Sequence, residues 1–345
     1  MTYTSSWRSP SNIALIKYWG KYGLQLPRNP SLSLTLSSCH TTMTLVADLS
    51  VSNPGIEILY NGIPKPSFEP KILTFFSLLG DFFPWLKGAF VKIDSNNTFP
   101  HGAGIASSAS AMSAMALCLM DINDQIQRGS AVAGEMWWKK ASEIARLGSG
   151  SASRSIFPVA AIWGKVEMVP GSSDLFAIPL ENKIASIYKD YQDTILVVSS
   201  SEKVVSSTAG HALMNNLAYA ETRYLEARRN IGRLIDSMQR DDAIENFISI
   251  VESEALQLHA LMMSGPAPFI LMEPGTISII KEVWRFRKEN NIPVCFTLDA
   301  GPNVHLLYPS SYMEQILGWV NSYLIRYCAE GKYILDRVGA GPEKV

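Results

Sequence analysis

A stretch rich in glycine and serine, residues 100–110, runs directly into an apolar segment with the composition of a buried helix. The first backbone N–H groups of a helix have no partner within the helix and carry partial positive charge. Gly102 and Gly104 would let the backbone approach an anion closely, while Ser107 and Ser108 add hydroxyls for phosphate or magnesium. The pattern indicates a phosphate-binding loop without the Gly-Lys-Ser/Thr of a Walker A motif. A serine-capped start of an ordinary core helix is the alternative.

Three other segments contain charged side chains that are suited to an anionic substrate. Lys17 interrupts an apolar run and is followed by two aromatic residues and by Lys21, while Arg154 is the cation of a small-residue loop. Asp299 follows an apolar segment and precedes a Gly-Pro turn, where it could act as a base or orient a substrate. Taken alone, each fits an ordinary surface or turn residue better. Together with the predicted phosphate loop, they point to a site for a phosphorylated small molecule.

The overall composition narrows the class of protein. The chain has 345 residues, 47% of them hydrophobic and 18% charged, which predicts a globular protein of two domains, residues 1–184 and 185–345. The formal net charge of -1 argues against a nucleic-acid-binding protein. The four cysteines are scattered, which argues against a disulfide scaffold or a zinc site. No apolar stretch is long enough to span a bilayer, so we expect a cytoplasmic protein that does not bind membranes.

The elements needed to position these residues are mixed, and the predicted fold class is α+β. Period-two alternation and β-branched composition predict strands over 31–36 (with one buried face), 41–48, 56–60, 89–94, 194–198, 293–298, 304–308 and 333–338, and a buried strand or hairpin over 156–169. Helices are predicted around 111–120 and over 134–147, 209–239, 242–263 and 311–328. An Asn-Gly pair at 61–62 predicts a tight hairpin turn.

Several motifs resemble a known family. The segment Pro-x-x-x-Gly-Ile-Ala-Ser-Ser, residues 100–108, resembles the phosphate loop of the GHMP kinase superfamily. The segment Asn-Ile-Ala-Leu-Ile-Lys-Tyr-Trp-Gly-Lys, residues 12–21, is similar to the N-terminal signature of the diphosphomevalonate decarboxylases. Segments 150–155, 204–208, 298–303 and 338–342 agree with the same family in the same order. The resemblance covers nearly the whole chain.

The resemblance implies both a fold and a reaction. The fold would be an N-terminal ribosomal-protein-S5-like domain that binds ATP, followed by a ferredoxin-like GHMP domain, with the active site between them and a homodimer as the assembly. The reaction would be a lyase step of isoprenoid biosynthesis that requires ATP and Mg2+. The 3-hydroxyl of mevalonate 5-diphosphate is phosphorylated, and the phosphate then leaves as the carboxylate is lost as CO2. The products would be isopentenyl diphosphate, ADP and phosphate.

The same resemblance assigns residues to roles. Asp299 would orient or deprotonate the 3-hydroxyl, Arg154 would hold the substrate carboxylate, and Lys17 would lie at the reacting centre. The residues that would bind the substrate are Ala14, Tyr18, Trp19, Lys21, Ser149, Gly150 and Ser151. The residues that would bind the nucleotide are Pro100, Gly102, Ala103, Gly104, Ala106, Ser107 and Ser108, with Ser108 also holding Mg2+.

The sequence also departs from the family pattern. His211 stands where methionine is common, and Ser153 stands where cysteine is usual beside the loop arginine. An arginine expected after residue 62 to grip the 5-diphosphate is absent from its place, and Lys71 is the candidate substitute. This difference keeps open a phosphomevalonate decarboxylase acting on the 5-monophosphate and a mevalonate 3-kinase that stops before decarboxylation. A nucleotide-binding homologue without activity is the third alternative.

Overall fold

The computed structural model describes residues 1–100, 105–127, 134–200, 207–265 and 267–345. Its strands are β1 Thr2–Ile16, β2 Lys21–Tyr22, β3 Leu26–Pro27, β4 Ser31–Asp48, β5 Gly55–Tyr60, β6 Ile63–Pro64, β7 Phe90–Asn97, β8 Ala160–Trp163, β9 Ala177–Pro179, β10 Tyr191–Leu196, β11 Cys295–Leu298, β12 Val304–Pro309, β13 Tyr333–Arg337 and β14 Glu343–Lys344. Its α-helices are α1 Glu69–Ser77, α2 Ser107–Ile126, α3 Glu135–Gly148, α4 Ser186–Lys189, α5 Ser207–Leu213, α6 Ala220–Met238, α7 Ile244–Ser264, α8 Pro274–Asn290 and α9 Met313–Trp319.

The larger sheet is built on two long antiparallel strands, β1 and β4. Its order is β14-β1-β4-β7-β5-β6, and β8 and β9 extend from β4 on a branch. The pairing of β1 with β4 shifts register between Pro10 and Asn12 and again between Ala14 and Ile16. These irregularities lie near the end of β1, where the chain leaves the sheet at Lys17, and such bulges commonly re-aim side chains beside functional sites.

The first half of β4 differs from the expectation of one buried face. Residues 31–36 are buried on both sides, whereas the later part of the strand alternates between buried and half-buried positions. Leu32 and Leu34 pack into a core that includes Ile231 of α6 and Phe247 of α7. These helices cover the face of the strand that carries the leucines. The opposite face, which carries small polar residues, is also buried. The prediction of a solvated face was therefore wrong for this segment.

Helix α2 packs across β1 and β4 and begins beside the end of β1. Most of the helix is buried, including polar residues that bond to the sheet. Ser113 Oγ lies 2.5 Å from Ser9 Oγ, and Ser5 donates to the Asp121 carboxylate over 2.6 Å. These bonds satisfy polar groups within the core and fix the axial position of the helix, so its N-terminus is held in place.

The second sheet has four antiparallel strands in the order β11-β12-β10-β13. Numbered along the chain, this order is second, third, first and fourth, which is the arrangement of ferredoxin-like folds. Helices α5 to α8 lie between the first and second of these strands in sequence, and α9 lies between the third and fourth. Asp299 follows β11 directly, so the second sheet fixes the position of Asp299 in the fold.

The C-terminal segment returns to the larger sheet and joins the two halves of the molecule. Asp336 of β13 accepts backbone N–H bonds from Ser37, Ser38 and Cys39 of β4, at 2.8, 2.7 and 2.7 Å. The backbone N–H of Gly339 then donates to Thr35, and β14 pairs with β1. A carboxylate that accepts several backbone N–H bonds is strongly held, so this junction is rigid.

Several predicted elements have different boundaries. The predicted helix 209–239 is two helices, because α5 ends at Leu213 and a short 3-10 turn precedes an extended residue, Leu217, which is buried. The strand predicted over 156–169 is limited to β8, since the chain turns at Gly164 with φ of +106°. The predicted helix 311–328 continues past α9 as a π-helical turn over Val320–Leu324.

Three α-helices, α1, α4 and α8, were missed by sequence reasoning, and the hairpin turn was found. Helix α1 follows the β5–β6 hairpin, and α8 carries start and stop signals in its sequence. Glu273 and Thr276 form a reciprocal capping box, and Asn291 ends α8 with φ of +53°. Asn61 and Gly62 both have positive φ, as the predicted turn requires. No helix within the described residues is long and apolar enough to cross a membrane.

Candidate active site

One cavity of about 510 Å3 opens between the end of β1, the start of α2, the turn 150–156 and the loop after β11. Thirteen of the residues predicted from the sequence line it: Ala14, Lys17, Tyr18, Trp19, Lys21, Ala106, Ser107, Ser108, Ser149, Gly150, Ser151, Arg154 and Asp299. Pro100 is exposed and is not among the lining residues. Gly102, Ala103 and Gly104 lie outside the described residues, as does most of the family-like segment 204–208.

Lys17 and Asp299 form an ion pair inside this cavity. The Lys17 Nζ donates to Asp299 Oδ1 over 3.2 Å, and the lysine side chain is 2% exposed. Burial lowers the pKa of Lys17, because taking an ammonium group out of water penalises its charged form, while Asp299 opposes that shift. The residue is therefore a buried cation held against a carboxylate, and the interpretation of Lys17 as a surface lysine is wrong.

The backbone at Lys17 is held by the second half of the chain. Glu254 of α7, which is 0% exposed, accepts the Lys17 backbone N–H at 3.0 Å. The same carboxylate accepts both terminal nitrogens of Arg223 in α6 and the side-chain amide of Asn230 at 2.8 Å. Asn29 donates to the Lys17 carbonyl at 3.0 Å. This buried network fixes the segment from which the Lys17 side chain extends.

Arg154 lies on the 3-10 turn Gly150–Ile156 and is 2% exposed. Within the described residues its side-chain hydrogen bonds all go to neutral oxygens. Nη1 donates to Ser31 Oγ at 2.5 Å, Nε donates to Ser33 Oγ at 3.0 Å, and Nη2 reaches Asn12 Oδ1 at 3.4 Å. Burial lowers the pKa of Arg154 to about 10, so the group stays charged at neutral pH. We call Asn12, Ser31 and Ser33 the neutral cradle of Arg154.

A second pair of cations lies in another part of the cavity lining. Lys21 donates to Gln25 Oε1 at 2.9 Å, and Lys71 of α1 also lines the cavity. Burial lowers the pKa of both lysines, and the charge of Lys21 lowers that of Lys71 further. Like charges are kept close together most readily where an anion binds between them, so this pair suits a phosphate group. Lys71, the candidate substitute for the expected arginine, therefore lines the same cavity as Lys21.

The N-terminus of α2 opens into the same cavity. Ala106 precedes the helix in the left-handed region, with φ of +45°, and provides no side-chain cap. Ser107 and Ser108 begin the helix, and Ser108 Oγ lies 3.3 Å from Ser149 Oγ. Uncapped N–H groups and a group of hydroxyls are the donors that phosphate oxygens require, and hydroxyl oxygen is also a ligand for Mg2+.

Three aromatic rings form part of the cavity wall. His211 of α5 lies against Tyr18, with ring centroids 4.4 Å apart, and against Trp19, at 4.8 Å. The Tyr18 hydroxyl is buried and has no hydrogen-bond partner among the described residues. Its burial raises the pKa of Tyr18. A Cβ at Gly150 would lie 2.9 Å from Tyr18 Cζ, so the turn approaches the tyrosine as only glycine permits.

The cavity also has an apolar lining. It comes from residues of β4, β5, β7, α1 and α2, together with Phe68: Met43, Ile58, Phe68, Ile72, Ile93, Met112 and Met115.

Sequence reasoning missed the residues that hold the charged groups. Glu254 and Arg223 lie on helices that gave no sign of the site, since an acid or base in an amphipathic helix is usually a surface residue. Ser31 and Ser33 did carry a signal, because small hydroxyl residues alternate with leucines on one strand. That pattern was interpreted as an ordinary half-buried strand.

Two family models match the chain. Residues 9–176 match the diphosphomevalonate decarboxylase-like N-terminal domain. Residues 194–341 match the mevalonate 5-diphosphate decarboxylase C-terminal domain. The matched ranges contain every residue of the ion pair, the neutral cradle and the buried network described above.

Curated relatives agree over most of their length. The chain is 30% identical to the diphosphomevalonate decarboxylase of Aspergillus fumigatus over 343 residues, covering 93% of this chain and 81% of the relative. It is 30% identical to that of Homo sapiens over 315 residues, covering 86% and 74%. It is 27% identical to that of Candida albicans over 372 residues, covering 99% and 98%.

Solved structures of the same kind superimpose closely. The mevalonate diphosphate decarboxylase of Staphylococcus aureus has a TM-score of 0.85 at 27% identity, covering 100% of this chain and 98% of that chain. A structure described as MDDEF in complex with MVAPP, AMPPCP and magnesium has a TM-score of 0.83 at 27% identity, covering 100% and 99%. The expected α+β fold of the GHMP kinase type is thereby confirmed. The chain belongs to the diphosphomevalonate decarboxylase family.

Proposed function

We propose that this protein catalyses the ATP-dependent decarboxylation of mevalonate 5-diphosphate to isopentenyl diphosphate, with release of ADP, phosphate and CO2. The observation that carries the proposal is the convergence of Lys17, Arg154 and Asp299 on one cavity that also receives the N-terminus of α2. A carboxylate, a buried ammonium and a buried guanidinium are the groups this chemistry needs. They would handle a hydroxyl proton, a transferring phosphoryl group and a substrate carboxylate, respectively.

Asp299 would act on the 3-hydroxyl of the substrate. A tertiary hydroxyl is a hindered and weak nucleophile, so the carboxylate orients it and accepts its proton as the oxygen bonds to phosphorus. Lys17, 3.2 Å from Asp299 Oδ1, favours the ionised carboxylate. Its positive charge lies on a buried side chain, where it would also stabilise the negative charge of the phosphoryl group in transit.

Arg154 would hold the C1 carboxylate until it leaves as CO2. Its planar guanidinium can bind a carboxylate through two parallel N–H bonds. Its hydrogen-bond acceptors within the described residues are neutral oxygens, and the nearby charge of Asp299 only partly offsets the effect of burial on its pKa. When the 3-phosphate departs, positive charge develops at C3, and the electrons of the C1–C2 bond fill that deficit as CO2 forms.

The hydrogen-bond donors and hydroxyl groups at the N-terminus of α2 fit a nucleoside triphosphate and magnesium. Uncapped N–H groups after Ala106 and the hydroxyls of Ser107 and Ser108 would hold phosphate oxygens, and Ser108 Oγ would be a magnesium ligand. Bound there, Mg-ATP supplies the phosphoryl group, and the metal neutralises its charge. Lys21, Lys71, Ser149, Gly150 and Ser151 would surround the 5-diphosphate, with Ala14, Tyr18 and Trp19 beside it.

The organisation of the protein follows from the same family membership. We assign residues 1–184 to the ATP-binding domain and residues 185–345 to the GHMP domain, with the C-terminal strand β14 completing the first sheet. We expect a cytoplasmic homodimer that acts on a phosphorylated small molecule and binds neither nucleic acid nor membranes.

The proposal is tested by giving the enzyme three substrates with Mg-ATP: mevalonate, its 5-phosphate and its 5-diphosphate. ADP, phosphate, CO2 and the alkene product are measured in each reaction. We expect the 5-diphosphate to be the fastest substrate, with ADP, phosphate, CO2 and alkene formed in equal amounts. Faster turnover of the 5-monophosphate would show that the 5-monophosphate, and not the 5-diphosphate, is the substrate. Formation of ADP without CO2 would show that the enzyme is a 3-kinase and not a decarboxylase.

A further inference from the structure

His211 occupies a position in the cavity wall that the proposed reaction does not use. The ring is buried between Tyr18 and Trp19, at centroid distances of 4.4 and 4.8 Å, and it lines the cavity. Helix α5 reaches this place only because residue 210 is glycine. A Cβ there would lie 2.4 Å from Trp19 Cζ2. The imidazole is thus closely packed and has little freedom to turn.

One hydrogen bond defines which ring nitrogen carries the proton. The backbone N–H of Gly20 donates to His211 Nδ1 over 3.0 Å. A nitrogen that accepts a hydrogen bond bears no proton, so the proton of the neutral ring is on Nε2. Burial, assisted by the charge of Lys21, lowers the pKa of His211 to about 3. The ring is therefore neutral at physiological pH, with an N–H donor at Nε2.

That donor has no partner in the protein. Among the described residues the ring makes a single hydrogen bond, to Gly20. Nε2 has no partner there, and it does not belong to the fully buried side-chain nitrogens without a partner, so part of its surface is exposed. Nε2 is consequently accessible from the cavity. The nearby Tyr18 hydroxyl is also without a hydrogen-bond partner among those residues. The Nε2–H group is thus left for a ligand in the cavity, whereas the Tyr18 hydroxyl is fully buried.

We propose that His211 is a specificity-determining residue whose Nε2–H donates a hydrogen bond to an oxygen of the substrate's 5-phosphate tail. This inference rests on the proposed function, since that function supplies the phosphorylated substrate. A neutral donor suits this place because Lys21 and Lys71 already provide positive charge, and a third cation would be repelled by them. The directional N–H bond adds selectivity for phosphate oxygens where lysines alone act as point charges.

The experiment separates the donor from the packing of the ring. In His211→Asn the side-chain oxygen replaces Nδ1 as acceptor for Gly20, but nothing replaces Nε2–H. In His211→Gln the amide nitrogen takes the place of Nε2–H. Steady-state kinetics with mevalonate 5-diphosphate and saturating Mg-ATP give kcat and KM. Inorganic diphosphate serves as a competitive probe of the phosphate tail, and its binding is also measured by calorimetry without substrate.

We expect His211→Asn to raise KM and the inhibition constant of inorganic diphosphate together, by ~10-fold or more, as for a lost bond to a charged group. In His211→Asn, kcat should stay within about twofold of wild type. In His211→Gln, all constants should stay within about threefold of wild type, because the glutamine amide retains the donor. Unchanged diphosphate binding in His211→Asn would overturn the proposal. So would equal effects of the two substitutions.

Two further readouts keep the result unambiguous. His211→Phe retains an aromatic ring and removes both nitrogens, so it should reproduce the KM effect if His211→Asn does not fold, as judged by circular dichroism. A wild-type enzyme that fails to convert mevalonate 5-diphosphate would refute the proposed function. The calorimetric comparison of inorganic diphosphate binding would still decide whether His211 contacts a phosphate group.

Discussion

Removing the neutral cradle of Arg154 should impair catalysis more than it impairs folding. Ser31 and Ser33 are fully buried on β4, and each hydroxyl oxygen accepts one N–H of the guanidinium, at 2.5 and 3.0 Å. In Ser31→Ala or Ser33→Ala the buried Arg154 side chain loses one hydrogen-bond acceptor, and its guanidinium group becomes free to tilt. Its plane then no longer matches the plane of a carboxylate, which a bidentate contact requires.

The size of the effect follows from the hydrogen bonds that are lost. A hydrogen bond to a charged group contributes about 1.5–3 kcal/mol, and about 1.4 kcal/mol corresponds to a tenfold change in kcat/KM. We therefore expect each single substitution to lower kcat/KM by ~10-fold. The double substitution should lower it by less than the product of the two, because both hydroxyls act through the same guanidinium.

The assay needs a control that removes a buried hydroxyl from the same strand without touching Arg154. Thr35→Val does this, since Thr35 donates to the Phe157 carbonyl at 2.7 Å. Rates with mevalonate 5-diphosphate and urea unfolding are measured for all variants. The serine variants and the control should lose similar stability, whereas only the serine variants should lose activity. If kcat/KM of the serine variants stays within about twofold of wild type, the hydroxyls merely fill space and the argument for the cradle is wrong.

Two more predictions concern the other groups of the site. Asp299→Asn should lower kcat by ~10²–10⁴-fold, as for loss of a general base, while ATP binding measured by calorimetry is retained; near-normal turnover would remove Asp299 from the mechanism. His259, whose Nε2 bonds to the Asp299 carbonyl at 3.1 Å, has its pKa lowered by burial to about 4. The unfolded state then binds the proton first, so stability present above pH ~6.5 is lost toward pH 4, by up to about 1.4 kcal/mol per pH unit. His259→Gln should show a shallower loss in urea unfolding between these pH values, and an identical slope would count against the buried neutral histidine.

Local patterns in the sequence predicted thirteen of the residues that line the cavity. Lys17, Arg154 and Asp299 each lie in a segment whose composition departs from an ordinary strand or turn, and such departures concentrate at functional sites. Sequence reasoning failed where the cause was distant in the chain. The burial of residues 31–36 on both faces depends on α6 and α7, which follow about two hundred residues later, and no local pattern contains that contact.

The predicted boundaries of several helices were wrong for a related reason. The break between α5 and α6 places Leu217 in a core with Trp19, Met214 and Tyr224. A continuous helix would satisfy local propensity and lose this packing, so tertiary contacts decide the outcome. The same break leaves α5 as a separate short element, which is what allows His211 to lie against Tyr18 beside the reacting groups.

The distribution of charge explains why so many distant segments must cooperate. The cavity is lined by four cations (Lys17, Lys21, Lys71 and Arg154) and by one carboxylate, Asp299, among the described residues, although the formal net charge of the whole chain is -1. Burial of the Lys17 ammonium and the Arg154 guanidinium, which share the charge of Asp299, opposes folding, as the lowered pKa values of both groups indicate. That cost must be offset by structure elsewhere, and the buried polar contacts of the Glu254 network and the Asp336 junction contribute to this. A substrate with a carboxylate and a diphosphate, together with ATP, brings negative charge to this cation-rich cavity, so the cations can hold two anions that would otherwise repel each other.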